Sequence, residues 1–336
     1  MKKISRLAAF CGVACSMLFA SQTVSAAKVK WDLTNDYQAS SLSGQMDQMF
    51  AKKVNELTDG RVTVNVHLGG SLGYKSADAL DAVETGAVQI ADSSSSFWGG
   101  LDPLFKLTSM PFVVSTYEEA RILYDVARPY YEKALLERNQ YLLYVIPWAP
   151  SGLWTRKPIN NQADLANLRI RTYDPNGIVA LRAIGAAPLQ TPIGDVMPML
   201  ATNALDGVLT AAEGGAVLKF WEQLPHYTAI NYAMSLQIAA INKDAFDDLS
   251  EADRKAVMQA AKDTEDFGWN ELKAREVATY ELMRKNNVTI ATEIDPAFMS
   301  ALRDTSKTIQ ESWLKETGER GQKILNDFNA RKAAAK

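Results

Sequence analysis

Apolar positions recur along the chain in two rhythms. From Val29 to Asn35, VKWDLTN alternates and is rich in β-formers, which predicts a strand. After the polar turn DYQASS, Met46, Met49, Phe50 and Val54 fall three or four apart and predict a helix from about Leu42 to Thr58. Asp59-Gly60 stops it. VTVNVHL, Val62 to Leu68, reads as a second strand, followed by the loop GGSLGYKS. The next helix carries Leu80, Val83 and Glu84 and ends at Gly86, and VQIADS, Val88 to Ser93, is a third strand. This β-α-β-α-β order predicts a parallel sheet covered by helices, with ligands at the carboxyl ends of the strands.

Further on, a helix is expected near Glu118 to Leu136, then the strand YLLYVIPWA. A second set begins near Leu153: LWTRKPI, RIRTYD, APLQTP and DGVLT are short strand candidates. Helices near Gly177 to Ile184 and Asp195 to Thr202 lie between them. The β-rich run from Leu224 to Asn242 is long enough to pass from one domain to another. Ser250 is an N-cap, and the helical pattern behind it continues without proline to about Lys285. At ~1.5 Å per residue that helix is ~52 Å long, more than one small domain, so it is expected to lie along both. A closing helix is expected from Pro296 to about Ala330, with RKAAAK as a frayed tail.

A length of 336 residues fits two domains of ordinary size. An apolar share of 47% against 22% charged residues is the balance of a globular chain, not of a disordered, collagen-like or polytopic membrane protein. The first segment changes the picture. Lys2, Lys3 and Arg6 precede an uncharged apolar stretch from Leu7 to Ala20, and Val24-Ser25-Ala26 offers small residues for cleavage before Ala27. The expectation is a signal peptide over residues 1–26 and a periplasmic protein with no inserted span. A lipid anchor at Cys15 is disfavoured because Gly12-Val13-Ala14 lacks the usual leucine. Cys11 and Cys15 both fall in this segment, so the exported chain needs no disulfide. Loss of its three cations takes the net charge from −3 to −6. Mild acidity without a basic block excludes a nucleic-acid footprint. His67 and His226 are the two histidines; His67 has no nucleophile nearby, His226 has no clear acidic partner, and both read as structural or surface residues, so no metal site or cofactor is expected.

Four motifs carry candidate chemistry. Gly69 to Ser76 approaches a phosphate-binding loop, but Tyr74 replaces the second glycine and would block the backbone's wrap around a phosphate. The plainer reading is a strand-to-helix turn that projects Tyr74 toward a cleft. Ser93, Ser94, Ser95 and Ser96, with Phe97 and Trp98, form either a binding lip at the sheet's carboxyl edge or a capped turn. Arg169 and Arg171 share one face of a strand. They are either a carboxylate-binding fork or a surface pair bridged to Asp164 or Asp174. Trp148 ends a strand just before Pro150-Ser151-Gly152, a candidate hinge. No Gly-x-Ser-x-Gly, His-Glu-x-x-His or dinucleotide fingerprint is present.

LTDGRV, GGSLG, DAVETGAVQIAD and MPFVV, in that order, resemble the solute-binding subunits of TRAP (tripartite ATP-independent periplasmic) transporters. DLANLRIR from Asp164 to Arg171, GAAP from Gly185 to Pro188, and DVMPML running on to ALDG at Ala204 to Gly207 resemble further elements of that family. The resemblance covers about residues 28 to 325. It implies an α/β periplasmic binding protein fold: two lobes around a ligand cleft, with a long helix spanning both. Lobe I is then expected over 27–148 plus 237–276, and lobe II over 149–236 plus 277–336. It implies a monomer that captures a small organic acid and hands it to membrane subunits. The family's carboxylate-clamping arginine falls on Arg171 rather than Arg169. Ser151 stands where sialic-acid-type members carry a second arginine, with Arg156 nearby, and Thr210 stands near the place of their asparagine. Glu213 is placed to accept a hydrogen bond from a ligand hydroxyl. These departures favour a smaller monocarboxylate resting on Trp148 and Phe97, with Tyr74, Ser93 and Ser94 completing its shell and dicarboxylates still open. The rival readings are a ligand sensor of the same fold feeding a signalling receptor, and an exported hydrolase using Glu213 or Asp195.

Overall fold

The computed structural model describes residues 28–335. The expected signal segment, its cleavage point and both cysteines lie outside the described residues. The chain runs β1 (Val29–Asn35), α1 (Leu42–Leu57), β2 (Val62–His67), α2 (Ser76–Glu84), β3 (Ile90–Ser94), α3 (Tyr117–Leu136) and β4 (Gln140–Pro147). It continues with β5 (Ser151–Thr155), β6 (Arg169–Thr172), α4 (Pro175–Ala183), β7 (Ala187–Gln190), α5 (Val196–Ala201), β8 (Gly207–Ala211) and α6 (Ala212–Val217). It ends with β9 (His226–Thr228), β10 (Leu236–Asn242), α7 (Lys243–Asp247), α8 (Glu251–Lys285), β11 (Thr289–Ala291), α9 (Pro296–Thr317) and α10 (Glu319–Ala334).

Two sheets result. The first has the order β2-β1-β3-β10-β4 and the second β11-β9-β5-β8-β6-β7. Each is parallel apart from one reversed strand, β10 in the first and β5 in the second. The parallel pairing expected from the β-α-β-α-β order holds for β1, β2 and β3, and the later strand β10 makes the first sheet mixed. The reversals come from the crossovers: β4 hands the chain to β5, and β9 hands it back to β10.

The two crossover segments are hydrogen-bonded to each other. Trp148 N donates to Ser235 O at 2.8 Å, Ser151 N to Ala233 O at 3.0 Å and Tyr232 N to Ser151 O at 2.8 Å. The run from Leu224 to Asn242, read as one β segment, is thus broken between β9 and β10. Asn231 takes a positive φ of 50° there, which lets the chain leave one sheet and enter the other.

α8 is the long helix expected. Ser250 caps it by accepting from Asp253 N. Val257, Ala260, Ala261 and Leu272 pack with Trp31, Phe50 and Tyr144 on the first sheet, whereas Met283 packs with Trp154, Phe220 and Val288 on the second. The closing helix differs from expectation. Gly318, at φ +58°, divides it into α9 and α10, and α10 runs on to Ala334 instead of fraying at Arg331. Trp313 Nε1 donates to Pro103 O at 2.8 Å and Ser306 Oγ to Pro111 O at 2.7 Å, so α9 lies against the first lobe as well as α4 of the second.

Candidate ligand-binding cleft

β6 buries Ile170 in the core and brings Arg171 to the strand's carboxyl end, where it is fully buried. Its Nε donates to Thr191 O at 2.8 Å. Its two amino nitrogens have no hydrogen-bond partner among the described residues. The guanidinium carbon lies 6.0 Å from the centroid of the Tyr173 ring. Burial lowers its pKa from the ordinary value, while Tyr37, Tyr173, Asp36 and Asp174 around it work in the other direction. A buried cation with two uncommitted donors is costly unless a paired anion meets it. A carboxylate fits that fork with two parallel hydrogen bonds.

Arg169, on the same strand face, does something else. It binds both oxygens of Asp206 at 2.8 Å near the surface. The partner is neither Asp164 nor Asp174, as the surface-pair reading had it. Asp164 accepts the backbone N–H groups of Asn160 and Asn161, and Asp174 caps α4 through Gly177 N. Two residues along a strand change the height in the sheet, and that separates an edge ion pair from a fully buried arginine.

The cleft wall is aromatic. Tyr37, just past β1, packs on Trp148 with centroids 4.7 Å apart at 40°. Both line a small hollow, partly open to solvent, together with Ser41, Ile193, Gly194 and Leu218. A second, narrow hollow shares Trp148 and is bounded by Leu42, Ser43, Ile146, Glu213 and Gln237. Side chains from both sheets therefore close around the same indole.

Three ties cross the cleft. Lys75 reaches both oxygens of Asp195, at 2.9 and 3.0 Å. Leu42 N, in the first turn of α1, donates to Glu213 Oε1 at 2.8 Å, a carboxylate at a helix N-terminus. Arg275 of α8 donates its Nε to the same oxygen at 2.7 Å, Nη1 to Gln45 Oε1 at 3.0 Å and Nη2 to Ser40 O.

Beneath the first lobe's cleft edge lies a buried acid pair. Asn35 Nδ2 donates to Asp47 Oδ2 at 2.7 Å and to Asp92 Oδ2 at 3.2 Å. Tyr144 OH donates to Asp47 Oδ1 at 2.6 Å. Burial pushes both carboxyls up from the ordinary range, and Asp92 is pushed further by the charge of Asp47.

The expected site residues divide accordingly. Trp148 and Glu213 line the second hollow. Arg171 lines neither hollow, but its charge acts on Asp36 and Tyr37, which line the first. Thr210 sits on β8 with its hydroxyl under Gly214, another residue of the first hollow. Ser93 and Ser94 are buried on β3. Ser94 N donates to Ser76 Oγ at 3.4 Å, and Ser94 Oγ donates to Ser96 Oγ at 3.3 Å. Phe97 packs on the main core, and Tyr74 packs against the small apolar cluster of α2; neither lines the two hollows. Tyr37, Ser41, Ile193 and Gln237 were not singled out. Tyr37 had a signal, since it follows a strand at the sheet's carboxyl edge. Among the described residues no group of three His, Cys, Asp or Glu side chains is arranged to hold a metal ion, and no helix is long and apolar enough to cross a membrane.

A two-lobed fold with two hydrogen-bonded crossovers and a bridging helix is that of a cleft-type binding protein. The sequence profile of the DctP family, bacterial extracellular solute-binding protein family 7, matches residues 35–316. The chain belongs to this family, the solute-binding proteins of TRAP transporters. It is 24% identical over 315 residues to the ectoine-binding periplasmic protein TeaA of Halomonas elongata, covering 89% of each chain. It is 27% identical to the 2,3-diketo-L-gulonate-binding periplasmic protein YiaO of Escherichia coli, over 79% of this chain and 83% of that one. It superposes with a TM-score of 0.87 on DctP6, a Bordetella pertussis extracytoplasmic solute receptor binding pyroglutamic acid. That pair is 26% identical and covers 90% of this chain and 100% of the other.

Proposed function

We propose that this chain captures a small organic monocarboxylate in the periplasm and delivers it, as a monomer and without turning it over, to the membrane subunits of a TRAP transporter. The observation that carries the reading is Arg171: fully buried, anchored through Nε, with both amino nitrogens uncommitted. A ligand carboxylate satisfies those donors, and Trp148 and Tyr37 supply a flat apolar wall for its body. Pyroglutamic acid, ectoine and 2,3-diketo-L-gulonate, the ligands named for similar proteins, each carry one carboxylate. Contacts from both lobes exist together only when the cleft is closed, so the ligand shifts the population toward the closed form. Glu213 is a tie between lobes in this reading, since its Oε1 already takes two donors. The same occupancy speaks against a hydrolase built on Glu213, and Asp195 is bound by Lys75. A thermal-shift screen tests the proposal, because a ligand that binds only the native state raises its melting temperature. Small monocarboxylates should raise it and neutral isosteres should not; hits confined to compounds without a carboxylate would overturn it.

A further inference from the structure

Hydrogen bonding holds the Arg171 guanidinium at one point, where Nε donates to Thr191 O at 2.8 Å. One bond at Nε sets where a planar guanidinium sits and leaves its tilt open, yet a carboxylate needs that plane aligned to take two parallel bonds. The neighbouring acids do not supply the second hold. Asp36 accepts from Ser76, through its N–H at 3.2 Å and its hydroxyl at 3.0 Å, and Asp174 Oδ1 accepts from Gly177 N at 3.0 Å. The ring of Tyr173 does supply it. Tyr173 stands two residues beyond Arg171, just past the end of β6, and the guanidinium carbon lies over its ring, 6.0 Å from the centroid. A ring face attracts a cation out to about this distance, and more strongly away from water. Both side chains are buried. The tyrosine is itself fixed twice: Gln190 Nε2 donates to its backbone oxygen at 3.2 Å, and its hydroxyl lies 3.3 Å from Ser151 Oγ. Ser151 is where the two crossovers meet, since its N–H donates to Ala233 O and its own carbonyl accepts from Tyr232 N.

We infer that Tyr173 is a positioning residue for the ligand carboxylate: its ring sets the tilt of the Arg171 guanidinium, and its tie to Ser151 fixes that ring to the joint of the two crossovers. This rests on the carboxylate reading at Arg171. Burial holds the phenol above its ordinary pKa, so the ring meets the cation as a neutral face. Without the ring, Arg171 keeps its charge and its bond to Thr191 but presents its two free donors over a wider spread of tilts. The loss falls on a carboxylate, which uses both donors at once. It spares a carboxamide, whose single oxygen takes one.

The test is calorimetry on the full exported chain with L-pyroglutamate and its neutral carboxamide, read as the ratio of the two affinities. Tyr173→Leu, with unchanged far-UV circular dichroism, should lower the acid-to-amide ratio by roughly tenfold or more, while the carboxamide's affinity stays within about twofold of wild type. Tyr173→Met takes its place if the leucine variant does not fold. Tyr173→Phe keeps the ring and should hold the ratio within about threefold of wild type. Equal loss for acid and amide would make Tyr173 merely structural and overturn the inference. So would a phenylalanine variant that fares no better than the leucine one. Arg171→Gln separates the two readings: if it loses the preference for the acid while Tyr173→Leu keeps it, the inference fails and the carboxylate reading stands. Wild-type protein that does not prefer the acid, including one that binds neither probe, overturns both.

Discussion

At Arg171, function and stability pull apart. The ligand-free protein holds a guanidinium away from water with two of its three nitrogens uncommitted. Arg171→Met should abolish acid binding, yet the ligand-free melting temperature should hold or rise, since an uncompensated buried charge is removed. A fall of several degrees in ligand-free melting would count against an uncompensated charge. Asp174, three residues on, makes a second prediction. Burial raises its pKa to about 6, above the ordinary ~3.9. A raised carboxyl favours the protonated native state, so its contribution is complete below about pH 4 and is lost as pH rises to about 6. Asp174→Asn keeps an N-cap side chain and should flatten the decline of the ligand-free melting temperature between those values; an unchanged profile would contradict it. Of these residues the sequence pattern alone left Arg169 and Arg171 equivalent. The resemblance separated them, because the difference is one of height in a sheet, which periodicity does not encode. Tyr37 had the signal of following a strand at the sheet's carboxyl edge, but its partner Trp148 is distant in sequence, and local pattern does not pair the two.

The elements themselves were mostly legible. β1, α1 and α8 carry strong local signals, such as the cap at Ser250 and the proline-free run behind it. What local pattern missed were the breaks, at Asn231 and Gly318, where one positive φ redirects an otherwise continuous run. The crossover ribbon is tightly built. A Cβ on Gly152 would come within 2.6 Å of Thr228 O and 2.5 Å of the Tyr227 ring. Backbone cannot yield there as a side-chain tip can, so Gly152→Ala should cost about 1–3 kcal/mol by overpacking, read as a lower denaturation midpoint. The Lys75–Asp195 tie is of the other kind. Both side chains are nearly half exposed, and such pairs contribute up to about 1 kcal/mol. Lys75→Ala should therefore weaken ligand binding by less than about fivefold, and by less still in high salt. A loss of a hundredfold would give that tie a role its exposure does not support.

For the whole molecule, two lobes joined by paired crossovers and one continuous helix move about few degrees of freedom. The ties of Glu213 and Arg275 to the start of α1, and of Lys75 to Asp195, join parts that carry the two sheets. Solution scattering should show a smaller radius of gyration with saturating ligand than without it, and no change in the Arg171→Met variant. The central claim is that a carboxylate, rather than any polar ligand, fills the fork of Arg171. The most direct measurement is calorimetry of L-pyroglutamate against its neutral carboxamide, on the wild type and on Arg171→Gln. The account predicts that the wild type prefers the acid by at least a hundredfold and that Arg171→Gln loses this preference, as expected when a buried charge-assisted pair is removed. Equal binding of the acid and the amide by the wild type, or an undiminished preference in the variant, would contradict it.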